Sequence, residues 1–205
     1  MTPKAKLTRA ERKALRPAQI LDAAFEEFVT HGFTSARVED IAERIGVTKG
    51  TVYVYFPTKD ELFTAMLNHI AVPLEDLAAE TRSLTGTCTE RLRQLILLCY
   101  EKVVTDRQMR ELMRFVISES SRFPQVIDMH HDQFINPLME QIQHLLDEGI
   151  ASGEFRKSPA ATASVIASPV LAMMVEQLIF AGRQPIDLDT HIAGHLDLVM
   201  AGLRA

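Results

Sequence analysis

Apolar residues recur at helical spacing along most of the chain. Those from Ile20 to Phe28 lie four positions apart, with acidic residues on other faces, as in an amphipathic helix. Pro17 favours the first turn of such a helix. Gly32 favours its end, because glycine enters the left-handed cap conformation without strain. The pattern predicts a first helix of about four turns, from Pro17 to His31.

Two shorter helices are predicted next, over residues 38–45 and 49–56, with a tight turn at Gly46 between them. The second segment is rich in β-branched and aromatic residues, so propensity alone would favour a strand. Apolar residues at i and i+4, and Thr48 as a good N-cap, favour a helix instead. A strand would also leave the preceding short helix without a packing partner.

The rest of the chain has helical periodicity and lacks the alternation of strands. A fourth helix is predicted from Lys59 to about Pro73, which bends or ends it. Glycine, proline and serine residues separate six further helical segments, the fourth with a kink or boundary at Pro137: residues 74–84, 88–105, 108–121, 124–151, 159–182 and 187–204. The expected fold class is all-α, with three compact helices followed by a larger helical bundle.

Charge is distributed unevenly along the chain. The net charge is −5, yet residues 1–60 hold ten Lys and Arg against eight Asp and Glu. Within the first sixteen residues, six basic side chains face Glu11 alone. This basic arm suggests that the N-terminal end meets a polyanion. A solvated, disordered tail would explain the arm equally well if it is taken alone.

No arrangement of residues indicates an enzyme or a metal centre. The two cysteines have no partner at metal-site spacing and do not form a disulfide framework. Asp128 and His131 have the spacing used in di-metal bundles, but no second copy accompanies them. His191 and His195 form an isolated i, i+4 pair. We therefore expect no catalytic residues, no metal and no cofactor.

The stretch from residue 158 to 175 carries no charge, and its length raises the question of a membrane span. Its serines and alanines make it only mildly apolar, Pro169 interrupts it, and Glu176 follows at once. A helix covered by other helices fits better. Without an apolar leader at the N-terminus, we expect a cytoplasmic protein and no membrane partner.

The segment that begins at Thr48 has the properties of a DNA-contacting helix. Two short helices joined by a tight turn form a helix-turn-helix, whose second helix can enter a major groove with its N-terminus. Lys49 supplies a long cation for guanine acceptors or phosphate, and Gly50 lets the backbone come close. Thr51 offers both a hydroxyl and a methyl group to a base edge.

These residues, in this order, resemble the DNA-binding domain of the TetR family. The resemblance is carried by Ile41-Ala42, the turn Gly46-Val47-Thr48, Tyr53-x-x-Phe56 and Lys59-x-x-Leu62, and extends over roughly residues 17–66. It implies that Lys49, Gly50, Thr51 and Tyr53 approach bases or the adjacent backbone, and that Tyr55 and Lys59 hold phosphates.

Two positions depart from the family pattern. Arg37 stands where a capping Ser or Thr is usual, and it could contact a phosphate directly. Val54 replaces a polar or aromatic residue, and it could touch a thymine methyl or face solvent. The complete set of predicted DNA contacts is Arg37, Thr48, Lys49, Gly50, Thr51, Tyr53, Val54, Tyr55 and Lys59.

The C-terminal bundle more loosely resembles the C-terminal domains of TetR-type repressors, through Phe115 to Pro124. The resemblance implies a ligand pocket among the middle helices and a dimer interface on the last two. Candidate pocket residues, with the two glutamates as polar anchors, are Met113, Phe115, Glu119, Phe134, Met173, Glu176 and Phe180. Candidate interface residues are Val170, Ile192, Leu196, Val199 and Leu203. Both groups could instead be ordinary core.

The expected function is that of a non-enzymatic regulator in three parts: a basic arm over residues 1–16, a helix-turn-helix domain over 17–66 and a ligand-binding and dimerisation domain over 67–205. A homodimer would bind a near-palindromic double-stranded DNA operator, with recognition helices about 34–36 Å apart, and a small-molecule effector would release it. The alternative is a helical adaptor that binds small molecules and lacks enzymatic activity.

Overall fold

The computed structural model describes residues 9–180 and 183–205, except for the side chains at positions 9, 10, 12, 72, 73 and 75. The described residues are almost entirely helical, which confirms the expected all-α class. Contacts divide the chain after Ile70 into two compact units. The first eight residues of the predicted basic arm lie outside the described part.

The first unit contains four helices: α1 (Arg9–Ser35), α2 (Val38–Arg44), α3 (Lys49–Tyr55) and α4 (Lys59–Ile70). The segment from residue 49 is thus a helix, as predicted. The predicted start of α1 at Pro17 is wrong, since the helix begins at Arg9 and Pro17 lies inside it. The residues before Pro17 are strong helix formers, and they extend the helix although proline removes one backbone hydrogen bond.

Two turns of the first unit depend on glycine. Gly32 has φ 72° and ψ 169°, which interrupts α1 where its end is predicted, before a last turn to Ser35. Gly46 has φ 67° and follows α2 directly. Its backbone N–H donates to the Glu43 carbonyl at 3.0 Å. Both conformations are in the left-handed region that side chains with a Cβ rarely adopt.

An aromatic cluster packs α1 against α4. The Phe63 ring meets the rings of Phe28 and Phe33 edge-on, with centroids 5.1 and 5.0 Å away. Val52 from α3 is also fully buried, so α3 packs firmly on the unit although it is short. The buried Glu27 carboxylate pairs with Arg44 at 3.4 Å. These contacts position α2 and α3 relative to the longer helices.

The second unit contains seven helices within its described residues: α5 (Val72–Arg82), α6 (Cys88–Cys99), α7 (Arg107–Glu119), α8 (Pro124–His130), α9 (Asn136–Ala151), α10 (Ala163–Phe180) and α11 (Leu188–Leu203). Two π-helical turns, Tyr100–Val104 and His131–Ile135, extend α6 and join α8 to α9. The second turn ends next to Pro137, where the sequence predicts a boundary.

The connection between α9 and α10 ties the second unit together. The predicted start of α10 at residue 159 is wrong, because the backbone N–H of Ala160 bonds to the Ser158 hydroxyl in a turn and the helix begins at Ala163. Before this turn, the Glu154 carboxylate accepts from the backbone N–H groups of Cys88 and Thr89 at 3.0 and 2.9 Å. The Glu154 carboxylate thereby caps α6 although it is distant in the sequence. The two hydrogen bonds that it accepts lower the pKa of Glu154.

Among the described helices, α10 alone is long and apolar enough to cross a membrane, and core helices of soluble proteins pass the same test. In this structure α10 packs against α6, α7 and α9. Its buried side chains belong to the core of the second unit: Ala163, Ile166, Val170, Met173 and Met174. From Ala163 onward the uncharged stretch is a helix of the bundle, as predicted. The expectation that other helices cover it on nearly all sides is wrong, because Val165, Leu171 and Ile179 are exposed.

Candidate DNA-contacting surface and ligand cavity

The N-terminal tip of α3, defined as Thr48 to Thr51, lies at the surface of the first unit. The Thr48 hydroxyl accepts a hydrogen bond from the Thr51 backbone N–H at 3.2 Å, so it caps the helix. Thr48, Lys49 and Gly50 are exposed, and Thr51 is half-buried. The cap fixes the helix start and leaves three consecutive residues open to a partner.

Lys49 is held by two neighbours. Its ammonium lies 2.6 Å from the Glu39 carboxylate of α2 and 5.4 Å from the centroid of the Tyr53 ring. The hydrogen bond between Lys49 and Glu39 raises the pKa of Lys49 and lowers the pKa of Glu39. A phosphate or base edge would have to compete with this carboxylate for the ammonium.

Gly50 does not need to be glycine for the fold. Its φ is not positive, and an added Cβ would meet only the Thr48 hydroxyl, at 3.7 Å. That distance is an ordinary van der Waals contact. The small size of Gly50 therefore serves no packing need within the chain, and it permits an external surface to come close.

The remaining predicted contacts on α2 and α3 differ in exposure. Tyr53 and Tyr55 are half-buried, whereas Val54 is 79% exposed and faces solvent. Arg37 is exposed and makes no side-chain capping bond to α2. Its backbone carbonyl accepts from Asp40 at 3.1 Å instead. The guanidinium of Arg37 does not replace the missing cap.

Lys59 makes bonds within the chain that the sequence does not reveal. Its ammonium donates to the backbone carbonyls of Thr34 and Ala36 at 3.2 and 2.5 Å. It also lies 4.9 Å from the centroid of the Phe33 ring. Lys59 thus holds the end of α1 against the start of α4, and its role as a phosphate ligand stays a prediction.

The second unit contains a cavity of about 420 Å³, which is lined by residues from every helix from α5 to α10. Its wall is almost entirely aliphatic or thioether, including Leu95, Ile96, Leu112, Met113, Met139, Ile142, Val170 and Met174. Val103 and Ile135, from the two π-helical turns, also line it. Such turns re-aim side chains inside a helix and are frequent at binding sites.

One polar ring lies deep in this apolar wall. His130 is 6% exposed, and neither ring nitrogen has a hydrogen-bond partner in the protein. Burial lowers its pKa, which favours the neutral ring. Cys99 also lines the cavity, and burial raises the pKa of its thiol to about 12. Cys99 therefore remains a protonated thiol and not a nucleophile.

The cavity is partly open to solvent. Five of the residues that line it are also exposed to solvent: His131, Ile135, Ser164, Ser168 and Leu171. The Ser168 hydroxyl donates to the carbonyl of Ser164 and is already satisfied. These five residues differ from His130, which is buried.

Of the seven candidate pocket residues, Met113 lines the cavity and the other six do not. Phe115 and Met173 are buried elsewhere in the core, and Glu176 is exposed. The three half-buried residues of this group are Glu119, Phe134 and Phe180. The sequence analysis missed His130 as a lining residue. Its i+3 relation to Ile127 and i+4 relation to Phe134 place it on an apolar face, and this spacing was the available signal.

The five candidate interface residues face the interior of their own chain. Val170 lines the cavity, and Val199 and Leu203 are buried in the core of the second unit. Ile192 and Leu196 are half-buried against that core. The exposed large apolar side chains of the last two helices are different ones: Val165, Leu171, Ile179 and Leu198.

The two histidines of α11 have polar contacts within the second unit. A ring nitrogen of His195 lies 2.9 Å from the Tyr100 hydroxyl, and His191 lies 3.3 Å from the Pro169 carbonyl. Within the described ranges, no three His, Cys, Asp or Glu residues are close enough together to hold a metal ion.

Comparisons with known families cover both units. Residues 20–66 match the family model of bacterial regulatory proteins of the tetR family. Residues 90–200, more than half of the chain, match the C-terminal domain of AefR-like transcriptional repressors. A curated relative, the fatty acid metabolism regulator protein of Bacillus subtilis, is 24% identical over 151 residues, which cover 72% of this chain and 74% of that protein.

Solved structures show the same fold with different ligands. A transcriptional regulator from Saccharomonospora viridis in complex with choline has a TM-score of 0.76 at 20% identity, covering 94% of this chain and 99% of the other. The regulator FadR from Bacillus subtilis in complex with stearoyl-CoA has a TM-score of 0.66 at 22% identity, covering 90% and 98%. At these identities the likeness shows the fold alone.

Proposed function

Because the chain belongs to the TetR family of bacterial transcriptional regulators, we propose that it is a cytoplasmic, ligand-responsive repressor that binds its operator as a homodimer. The capped, exposed tip of α3 is the observation on which this proposal chiefly rests. A short helix with a cation and a glycine at its free N-terminus has the shape and charge to enter a major groove.

The DNA contacts that we propose centre on the tip of α3. Lys49 and Thr51 would reach base edges or phosphates, and Gly50 would allow the backbone of the helix to come close to the DNA. Around them, Arg37 and Thr48 stand exposed, Val54 points outward, and the two tyrosines present hydroxyls from a half-buried position. Lys59 is held by backbone carbonyls, so its phosphate contact would require those bonds to be exchanged.

Dimerisation is proposed through the exposed apolar faces of α10 and α11. Val165 and Ile179 stand exposed on α10, and Leu198 is the most exposed large apolar side chain of α11. Large apolar side chains that are exposed on both α10 and α11 support a protein interface, because solvent-exposed apolar surface favours association. In a two-fold symmetric dimer, each recognition helix would read one half of a near-palindromic site.

A ligand response is proposed because the second unit holds a cavity of suitable size. Ligand pockets in proteins range from about 300 to 1,000 Å³ and are mostly apolar with a few polar groups. The cavity of about 420 Å³, with its single deep polar ring, fits this description. We expect occupancy of the cavity to release the protein from DNA.

Selection of bound fragments from a genomic library tests the function. The proposal expects one enriched near-palindromic sequence, and sedimentation of the complex should show two protomers for each site. A helical adaptor that does not bind DNA would enrich no fragment. Failure to enrich any sequence, or a single protomer on the enriched DNA, would contradict the proposal.

A further inference from the structure

We propose that His130 is the group that recognises the polar end of the ligand, and that the cavity selects an uncharged apolar molecule carrying one hydroxyl group. This inference rests on the proposed ligand response and adds the chemical class of the ligand. It starts from a feature that stability does not explain, which is a buried imidazole with both nitrogens unpaired.

A buried polar group without a hydrogen bond destabilises the folded protein. The loss is typically about 1–3 kcal/mol for a neutral group, and native proteins contain few examples. His130 contacts the Phe134 ring, with centroids 5.4 Å apart and a tilt of 32° between the planes. This contact orients the ring and offers no hydrogen bond to either nitrogen. The nitrogens are therefore free to bond with a molecule in the cavity.

The neutral state of His130 defines which polar group fits. A neutral imidazole has one N–H donor and one lone-pair acceptor. A hydroxyl group can donate to the acceptor nitrogen or accept from the N–H, so it bonds to the ring in either tautomer. A carboxylate only accepts, and it would also bring a charge into an apolar wall.

The lining of the cavity also disfavours charged ligands. Among the residues whose side chains the structure describes, none that lines the cavity is Asp, Glu, Lys or Arg. A buried charge without a partner is strongly unfavourable, whereas a neutral hydroxyl needs only one hydrogen bond. The aliphatic and methionine side chains around His130 would enclose the apolar body of the ligand. The two serines that line the cavity are exposed, and the Ser168 hydroxyl is already bonded within the chain, so His130 is the buried polar contact.

Three probes that each carry an unbranched ten-carbon chain test this selectivity: 1-decanol, decanoate and decyltrimethylammonium. We expect the purified protein to bind 1-decanol at least about tenfold more tightly than either ion, as measured by calorimetric titration. The inference is overturned if decanoate or decyltrimethylammonium binds as tightly as 1-decanol, or if 1-decanol does not bind.

Two matched variants separate recognition from folding. His130→Phe keeps an aromatic ring and removes both nitrogens, and it should bind 1-decanol about tenfold more weakly. The same variant should melt at a higher temperature without ligand, because the unpaired polar atoms are gone. His144→Phe makes the same change at an exposed position of α9 that does not line the cavity, and it should alter neither quantity. Unchanged affinity of His130→Phe for 1-decanol contradicts the role of His130.

Fluorescence anisotropy on the selected DNA distinguishes this inference from the proposed function. If 1-decanol binds through His130 and leaves DNA affinity unchanged, the ligand class stands and the proposed ligand response is wrong. If DNA binding is normal and 1-decanol does not bind, the inference is wrong while the DNA-binding proposal stands.

Discussion

The ammonium of Lys49 lies 2.6 Å from the carboxylate of Glu39, so the cation at the tip of α3 is already paired before DNA arrives. Both side chains are about half exposed, and the pair joins α3 to α2 at the surface. An acidic residue next to the cation would repel phosphates as well as compete for the ammonium.

Substitution of Glu39 by Gln should tighten DNA binding. The change frees Lys49 and removes one negative charge from the proposed DNA-contacting surface, and we expect an affinity gain of about three- to tenfold at low salt. Fluorescence anisotropy on the selected fragment measures this gain. Glu43→Gln, an exposed change of the same charge on the same helix, should have a smaller effect. Weaker binding by Glu39→Gln would indicate that the carboxylate positions Lys49 for DNA.

Substitution of Gly50 by Ala should separate DNA binding from stability. The new methyl group meets only the Thr48 hydroxyl at an ordinary distance, and alanine is the better helix former, so the melting temperature should stay the same or rise. DNA affinity should fall by about tenfold or more if the backbone at Gly50 approaches the groove closely. Unchanged affinity would show that this part of the tip remains away from DNA.

Substitution of Lys59 by Ala should destabilise the protein. The variant loses two bonds from an ammonium to the carbonyls of Thr34 and Ala36, and we expect the free energy of unfolding to fall by about 2 kcal/mol. Thermal or urea denaturation measures the loss, with Lys157→Ala on the exposed surface as the control. If stability is unchanged and only the salt dependence of DNA binding becomes shallower, Lys59 acts as a phosphate ligand.

The stability of the second unit should fall in mildly acidic solution. Burial lowers the pKa of His130 and His195, so the folded protein keeps these rings neutral while the unfolded chain takes up protons below pH about 6.5. The free energy of unfolding should therefore be constant above this pH and decrease below it, levelling off once the folded-state pKa is passed.

Melting curves between pH 8 and pH 5 measure this decrease. His130→Phe removes one of the two buried rings, and its melting temperature should decline less steeply than that of the unmodified protein. His131→Phe, at an exposed position, should follow the unmodified protein. Identical curves for all three proteins would show that His130 does not titrate differently in the folded and unfolded states.

The helices near the proposed DNA surface could be predicted because local signals agree. In α3, the Thr48 cap and the i, i+4 pair of Val52 and Phe56 both favour a helix. Together they outweigh the preference of the β-branched residues for a strand. The start of α1 could not be placed, since Pro17 favours a first turn and helix-forming residues before it extend the helix. The bond between Lys59 and the end of α1 joins distant segments, and no local pattern reveals it.

The second unit shows where hydrophobic periodicity stops being informative. Val199 and Leu203 lie on an apolar stripe, but a stripe does not tell whether its own chain or a second copy covers it. Here the chain itself covers both residues, and Leu198 on the opposite side is left exposed. Likewise, the spacing of His130 from Ile127 and Phe134 indicates an apolar face, but only the packing of α8 against other helices determines that this face lines a cavity.

The affinity of Lys49→Ala for the selected fragment tests the central claim most directly. If Lys49 reads DNA from the tip of α3, the variant should bind about five- to 150-fold more weakly at constant salt, which corresponds to about 1–3 kcal/mol. Lys157→Ala, which removes a lysine from the second unit, should bind like the unmodified protein. Equal affinity of Lys49→Ala and the unmodified protein would contradict the assignment of this tip as the recognition element.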